Sequence, residues 1–228
     1  MRLAFICSGE PENLKYLKNN RELLDTTLRK YGWEVINTPL LNIGDLNTKL
    51  QEYPKNIVNE FFFFYTGHGD VTSEQQMLRL KLNNSKVYIN DILDSIFEYI
   101  NPKQQVVVID ACYSGTIKGI NFKKNIEFLS SSQAIEQSYE SDNLKNSLFS
   151  HAFCEAFSSL SGDITLRDVS QYINSKNNKQ ESLPMSIGLN SIILAKRIKK
   201  QNVSTRLDNL LSFLEKMGSN DFSLSEKK

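Results

Sequence analysis

The hydrophobic pattern of the chain predicts two strands that are buried on both faces. Residues 61–65 read Phe-Phe-Phe-Phe-Tyr and residues 106–109 read Val-Val-Val-Ile, without a charged residue in either run. Continuous apolar runs of this length are typical of inner strands in a parallel sheet, because helices cover both faces of such a sheet. Each run stops abruptly at small and polar residues, so polar side chains are predicted at the carboxyl ends of both strands.

Further apolar segments predict strands and helices that alternate along the chain. The other predicted strands cover residues 3–7, 33–36, 126–129 and 187–195, and a hairpin is expected around 78–84. The predicted helices cover residues 13–31, a polar segment through Leu46 and Leu50, a segment after the N-cap Asn90, residues 149–160, and a segment that begins at a capping box of Thr165 and Asp168. This alternation predicts an α/β fold with right-handed crossovers and a mainly parallel sheet.

Two candidate reactive side chains follow the two buried strands. His68 stands between two glycines after the first strand, and Cys112 follows the second strand. In open α/β sheets, ligands bind at the carboxyl ends of the strands. If the two strands are parallel neighbours, the imidazole lies beside the thiol and can act as the base or cation that a reactive thiolate requires. The pattern therefore predicts nucleophilic chemistry at Cys112.

The remaining histidine and cysteines fit structural roles better. Cys7 and Cys154 lie inside strand-like and helix-like runs, which predicts buried, inert thiols. His151 lies at the start of an amphipathic helix, where we expect a structural role. Asp70 is close to the first candidate site in sequence, but a solvated loop carboxylate is the simpler interpretation.

Composition limits the class of protein. A chain of 228 residues, 40% hydrophobic and 10% aromatic, can bury a full core, which excludes a largely disordered protein. We expect one domain over residues 1–200 and a C-terminal segment over 201–228, with an amphipathic helix at 204–217 and a disordered end. The net charge of +1 creates no bulk field that would recruit nucleic acid or an anionic membrane.

The cysteine count and the apolar segments indicate the compartment. The three cysteines are widely spaced, which argues against a disulfide framework. The first apolar run is too short for a signal peptide, and no segment approaches the roughly 20 apolar residues of a membrane span. A reducing, cytoplasmic location is therefore expected. No Cys/His cluster has zinc-ligand spacing, and the loop over 113–125 lacks the carboxylates that calcium prefers, so no metal or cofactor is expected.

The two strand-end motifs resemble those of the caspase-like cysteine peptidases. Residues 65–69 read Tyr-Thr-Gly-His-Gly, and residues 110–115 read Asp-Ala-Cys-Tyr-Ser-Gly. Cys112 follows His68 by 44 residues, near the spacing of about 50 known for caspases. The pattern is most similar to that of metacaspases, paracaspases and their bacterial relatives, since Asp110 stands where the true caspase signature has glutamine.

The resemblance implies a caspase-like three-layer sandwich, in which helices flank a mainly parallel central sheet of about six strands. In this family the cysteine thiolate attacks the scissile carbonyl and the histidine protonates the leaving amine. Those residues correspond to Cys112 and His68 here. Backbone N–H groups of the cysteine and of the glycine after the histidine hold the oxyanion, which implies Cys112 and Gly69.

Three residues correspond to substrate-pocket positions of metacaspases and paracaspases. Asp110 corresponds to the carboxylate that pairs a basic P1 side chain, although an Asp that caps the turn is the other interpretation. Glu140 resembles a second acidic pocket residue, and an exposed surface Glu is equally consistent with the sequence. Asn20 stands at the third acidic position, counted back from Gly32, so the pocket is expected to be less acidic.

The sequence thus predicts a cysteine endopeptidase that cleaves protein substrates after Arg or Lys. The alternatives are an inactive caspase-like binding module, a clostripain-like or separase-like relative, and a small nucleotide-binding protein, for which the chain lacks a Gly-rich phosphate loop. The resemblance implies control by an activating partner or an upstream protease, with cleavage in the loop over 113–125. It also implies a role in bacterial defence or cell death, and it leaves the oligomeric state open.

Overall fold

A computed structural model describes residues 1–9, 11–40, 42–72, 77–116, 120, 125–133, 139–176, 183–187 and 191–196. Residues 1–196 form one compact unit. The helix predicted over 204–217 lies outside the described residues, and so does most of the loop after residue 116 in which cleavage was predicted.

Strands and helices alternate along the described chain. The strands are β1 (Arg2–Ser8), β2 (Glu34–Pro39), β3 (Glu60–Thr66), β4 (Gly69–Val71), β5 (Leu78–Lys81), β6 (Lys86–Tyr88), β7 (Gln104–Asp110), β8 (Ile126–Ser130), β9 (Glu140–Ser141), β10 (Asn146–Ser147), β11 (Ile164–Thr165), β12 (Leu183–Ile187) and β13 (Ile193–Ala195). The helices are α1 (Leu17–Lys30), α2 (Ile43–Gln51), α3 (Ile89–Tyr99), α4 (Leu148–Ser159) and α5 (Leu166–Lys176).

The central sheet has six strands in the order β12-β8-β7-β3-β1-β2. Neighbouring strands are parallel throughout, except that β12 runs antiparallel to β8 at one edge. The crossover helices lie on both faces of the sheet, as parallel connections require. The mainly parallel sheet predicted from the sequence is confirmed.

Helices cover the two faces of this sheet unequally. On one face, α2 and α3 pack against a core that includes Phe61 and Phe63. On the other face, α1, α4 and α5 pack against a core that includes Phe62 and Phe64. Because successive side chains of a strand point to opposite faces, the apolar run of β3 contributes to both cores. The predicted three-layer α/β sandwich is confirmed.

The boundaries of several elements differ from the predictions. Helix α1 begins at Leu17, four residues after the predicted start at 13. Helix α3 begins at Ile89 with Tyr88 as its N-cap, not Asn90, because β6 continues to Tyr88 and the chain turns directly into the helix. The single strand predicted over 187–195 is wrong, since β12 ends at Ile187 and β13 pairs with β11 in another sheet.

The predicted hairpin and capping box are both present. Strands β5 and β6 form the hairpin, and β4 joins them in a three-stranded sheet that the sequence did not indicate. Asp168 N donates to Thr165 Oγ1 at 3.3 Å, and Thr165 N donates to Asp168 Oδ2 at 2.9 Å. In the described part of the chain, no helix combines the length and the apolar character needed to cross a bilayer.

Candidate active site

The two candidate reactive residues follow two strands that lie side by side. Strands β3 and β7 are parallel neighbours, and their register pairs Thr66 with Asp110. His68 and Cys112 therefore lie equally far beyond the last paired position. The N–H of Gly67 donates to the carbonyl oxygen of Asp110 at 3.1 Å, which ties the histidine loop to the cysteine loop.

The backbone of His68 is fixed from two sides. The buried Tyr65 hydroxyl lies 2.9 Å from the carbonyl oxygen of His68 and 2.8 Å from that of Lys81. The N–H of Lys81 also donates to the carbonyl oxygen of His68, at 3.0 Å. Burial raises the pKa of Tyr65 well above its usual value, so its hydroxyl keeps the proton that these hydrogen bonds need.

Gly69 marks the point where the histidine loop and the cysteine loop are in contact. A Cβ atom on Gly69 would lie 2.5 Å from the carbonyl oxygen of Cys112 and 3.2 Å from the Cβ of Ala111. Only glycine allows the two backbones to approach this closely. The same contact brings the backbones of Gly69 and Cys112, the two predicted oxyanion-binding residues, to one place.

Buried serine hydroxyls hold the cysteine loop. Ser131 Oγ accepts from the N–H of Ala111 at 3.1 Å, and Ser132 Oγ donates to the carbonyl oxygen of Ala111 at 3.1 Å. Ser114 Oγ accepts from the N–H groups of Ser131 and Ser132 at 3.1 and 3.2 Å. Tyr113, directly after Cys112, has a φ of 58°, in the left-handed region that is rare for residues with side chains.

All the side chains predicted to react or to bind substrate border one cavity of about 300 Å³. Cys112 is partly exposed there, and the side chain of His68 is 29% exposed. The remaining wall includes apolar and aromatic residues, as is usual for ligand sites. The cavity is lined by Leu14, Leu17, Asn20, Thr66, Gly67, His68, Asp110, Cys112, Tyr139, Glu140 and Ser147.

Asp110 is a buried carboxylate in the wall of this cavity. Its side chain is only 3% exposed, and its Oδ2 accepts hydrogen bonds from the hydroxyls of Ser147 and of Ser150, the latter at 2.6 Å. Ser147 is also the N-cap of α4, where its Oγ accepts from the N–H of Ser150. Hydroxyl donors and the start of a helix both favour a negative charge at this position.

Glu140 and Asn20 connect distant parts of the chain at the same cavity. The carboxylate of Glu140 accepts from the N–H groups of Lys15 and Tyr16, at 2.9 and 3.1 Å, just before α1 begins. Asn20 is 1% exposed; its Nδ2 donates to Thr66 Oγ1 at 3.0 Å, and its Oδ1 accepts from the N–H of Ser147 at 2.9 Å. Asn20 therefore joins α1, β3 and α4 as a neutral polar residue.

Asp70 does not face the histidine. Its carboxylate accepts from Arg79 at 2.8 Å and from Lys86 at 2.5 Å, across the three-stranded sheet. Partial burial opposes ionisation, but the hydrogen bonds from Lys86 and Arg79 outweigh it and lower the pKa of Asp70. Among the carboxylates that the structure describes, the one within 4 Å of the His68 imidazole is that of Glu12, whose Oε2 lies 3.8 Å from His68 Nε2. The sequence analysis missed Glu12, because no motif marks it.

The other two thiols are buried. Burial raises the pKa of Cys7 above its usual value, and that of Cys154 to about 12. Cys7 Sγ donates to the carbonyl oxygen of Phe64 at 3.3 Å. His151 lies in α4, beside a separate cavity between α1 and α4. Among the residues that the structure describes, no group of three or more His, Cys, Asp or Glu side chains is arranged to hold a metal ion.

The family comparisons agree with this architecture. The sequence profile of the caspase domain matches residues 1–202. The crystal structure of caspase-1 from Spodoptera frugiperda superimposes with a TM-score of 0.65 at 14% sequence identity, covering 87% of this chain and 90% of the caspase-1 chain. A search of curated proteins gave no match.

The fold and the family profile together define the class of protein. The chain is a cysteine peptidase, a hydrolase of peptide bonds. It belongs to the caspase-domain family, and the profile spans the whole compact unit of residues 1–196.

Proposed function

We propose that this cysteine peptidase is an endopeptidase that cleaves proteins after Arg or Lys, with Cys112 and His68 as its catalytic dyad. One observation carries the proposal: a single cavity at the ends of β3 and β7 is lined by Cys112, His68 and the buried carboxylate of Asp110. A nucleophile, its acid–base partner and a group that attracts a cation then share one binding site.

The proposed reaction has two steps. The Cys112 thiolate attacks the scissile carbonyl carbon, and the oxyanion accepts hydrogen bonds from the N–H groups of Cys112 and Gly69. His68 gives its proton to the amine, the C–N bond breaks, and a thioester remains on Cys112. Water then attacks the thioester, giving a proton to His68; the carboxylic product leaves and the thiolate is restored.

The proposed preference for a basic residue rests on the charges that line the cavity. Asp110 is a buried carboxylate held by two serine hydroxyls in the cavity wall, so it attracts the ammonium or guanidinium group of a basic P1 side chain. Glu140 adds a carboxylate at the same cavity, although its oxygens already accept two backbone N–H groups. Asn20 contributes no charge. The preference is therefore expected to depend mainly on Asp110.

We also propose where the protein is located and how its activity is controlled. The three cysteines are unpaired, which suits a reducing cytoplasm in which the Cys112 thiol stays available. Control by an activating partner or by cleavage in the loop over 113–125 is the mode that the resemblance to metacaspases suggests. A role in bacterial defence or cell death rests on that resemblance.

The experiment that tests the proposal is turnover of fluorogenic peptides that differ only at P1. Wild type should cleave after Arg and Lys and leave Asp and Leu substrates nearly untouched, while His68→Ala should lose nearly all turnover and keep its thermal stability. Cleavage after Asp would refute the basic preference. No turnover of any substrate, including after limited proteolysis of the chain, would indicate a binding module instead.

A further inference from the structure

A carboxylate in the loop between β1 and α1 faces the candidate acid–base residue. Glu12 Oε2 lies 3.8 Å from His68 Nε2. That nitrogen is buried and has no hydrogen-bond partner in the described ranges. We propose that Glu12 is a positioning residue, whose carboxylate stabilises the protonated imidazole of His68 and thereby favours the thiolate of Cys112. The inference rests on the proposed function of these two residues as a reactive pair.

Lys81 holds the carboxylate of Glu12 in this place. Lys81 Nζ donates to Glu12 Oε1, the oxygen that does not face the imidazole. The N–H of the same lysine donates to the carbonyl oxygen of His68. One residue of β5 therefore positions both the carboxylate and the histidine backbone. The hydrogen bond from Lys81, and then the charges of Lys81 and His68, lower the pKa of Glu12.

The start of the loop that carries Glu12 is packed tightly against Thr66, Lys81 and Tyr65, the residues around the histidine loop. The N–H of Gly9 donates to the carbonyl oxygen of Thr66 at 3.2 Å, at the end of β3. A Cβ atom on Gly9 would lie 1.9 Å from the carbonyl oxygen of Lys81 and 2.5 Å from the hydroxyl of Tyr65. The backbone three residues before Glu12 is thus fixed by the same groups that fix His68.

Other charged groups near the pair have partners elsewhere or lie on the substrate side. Asp70 is paired with Arg79 and Lys86 within its own sheet. In the described part of the chain, Glu12 is the acidic residue that forms an ion pair with His68. Among the described residues, the charged groups around the dyad are Glu12, Asp70, Lys81 and Lys86 from the loop and the three-stranded sheet, and Asp110 and Glu140 from the cavity.

The position of Glu12 determines which protonation state it favours. Its carboxylate contacts the imidazole and does not line the cavity that contains Cys112. A negative charge nearer to the imidazole than to the thiol favours the thiolate–imidazolium form over the neutral pair. The side chains of Glu12 and His68 are 43% and 29% exposed, so solvent weakens the effect. We expect it to change the thiolate population about two- to tenfold.

The test measures how fast iodoacetamide alkylates Cys112 from about pH 5 to about pH 10, by intact mass. It requires no peptide substrate, and burial of Cys7 and Cys154 keeps the reaction specific. Glu12→Gln should slow alkylation about two- to tenfold near neutral pH and match wild type at high pH, where the thiol is ionised in both proteins. Glu22→Gln, which removes an exposed carboxylate of α1 paired with Lys18, should match wild type throughout.

Two further variants separate this role from a structural one. Lys81→Met removes the donor that holds the carboxylate of Glu12 beside the imidazole, so it should slow alkylation at neutral pH in the wild-type background and have no further effect in a Glu12→Gln background. In a His68→Ala background, Glu12→Gln should have no further effect.

Each outcome decides the inference. Equal alkylation rates at neutral pH for Glu12→Gln and wild type overturn it. So does a slower alkylation rate that Glu12→Gln still causes in the His68→Ala background. If Glu12→Gln fails to fold, the Lys81→Met rate decides, and a neutral-pH rate equal to that of wild type overturns the inference. Wild type that shows these alkylation profiles but cleaves no peptide would contradict the proposed function and leave the role of Glu12 standing.

Discussion

The N–H of Gly67 donates a hydrogen bond to the carbonyl oxygen of Asp110. This bond continues the pairing of β3 and β7 beyond the last strand residues, Thr66 and Asp110. The loop with His68 and the loop with Cys112 are therefore extensions of one pair of parallel strands. Because the site is built on adjacent inner strands, its geometry depends on the most buried part of the protein.

The first prediction concerns the contact of Gly69 with the cysteine loop. Gly69→Ala would place a Cβ atom 2.5 Å from the carbonyl oxygen of Cys112, so one loop must move. A displacement of this kind beside the reacting atoms is expected to lower kcat/KM by roughly 100-fold. Steady-state kinetics on an Arg peptide will measure the loss.

Gly162→Ala is the matched control for that substitution. Gly162 has a φ of 80° but has open space around the position of a Cβ atom, and it lies at the far end of α4. We expect it to lower the free energy of unfolding by about 1 kcal/mol and to leave kcat/KM unchanged. Equal kinetic losses in both variants would show that Gly69 affects only stability.

The second prediction concerns Asp110 and the choice of substrate. Asp110→Asn keeps the shape and removes the charge from a side chain that is 3% exposed. Loss of one partner of a buried ion pair costs roughly 2–5 kcal/mol, so kcat/KM on Arg and Lys peptides should fall about thirtyfold to several-thousandfold. Cleavage after a neutral norleucine residue serves as the internal reference and should change little. A uniform fall on all substrates would argue for a role in folding rather than in recognition.

The third prediction concerns Glu127, a buried carboxylate of β8. Glu127 is 5% exposed; Oε1 accepts from the N–H of Ile192 at 3.3 Å, and Oε2 has no partner among the described residues. Burial raises the pKa of Glu127, against weaker opposing effects of hydrogen bonds from Ile192 and Ser191. Ionisation of Glu127 therefore costs more free energy in the folded protein than in the unfolded chain.

The sign of the pH dependence follows from that shift. The folded protein binds this proton more tightly than the unfolded chain does. The contribution of Glu127 to the free energy of unfolding is therefore most favourable below its unfolded pKa of about 4.3. It decreases as the pH rises through the raised pKa of the folded state. Glu127→Gln should therefore raise Tm at neutral pH, and the gain should shrink towards pH 4. A gain of equal size at both pH values would show that the charge of Glu127 is not its cause.

Local sequence patterns predict those parts of the fold that depend on local physics. The runs in β3 and β7 predict inner strands because a strand in a parallel sheet, with helices on both faces, buries a short continuous apolar segment. Their endings predict the neighbouring positions of His68 and Cys112 because parallel strands end at one sheet edge. The start of α1 is mispredicted for a non-local reason: the N–H groups of Lys15 and Tyr16, just before the helix, are bound by Glu140, more than a hundred residues away.

The partners of the site residues were the least predictable part. Asp70 and Glu12 are both candidate carboxylate partners for His68. Proximity in the sequence favours Asp70 as that partner. The three-stranded sheet instead pairs Asp70 with Arg79, while Lys81 of the same sheet holds Glu12 beside the imidazole. Both outcomes depend on β4 joining the hairpin, and a strand of three residues leaves no readable sequence pattern.

The most direct test of the account is covalent labelling with a peptide acyloxymethyl ketone that carries Arg at P1. The thiolate of the nucleophile forms a thioether with the probe and the acyloxy carboxylate leaves, so peptide mapping identifies the reacting residue. We expect a single adduct on Cys112 in wild type, and neither adduct nor peptide turnover in Cys112→Ala, with an unchanged thermal melt. An adduct on Cys7 or Cys154, or wild-type turnover by Cys112→Ala, would contradict it.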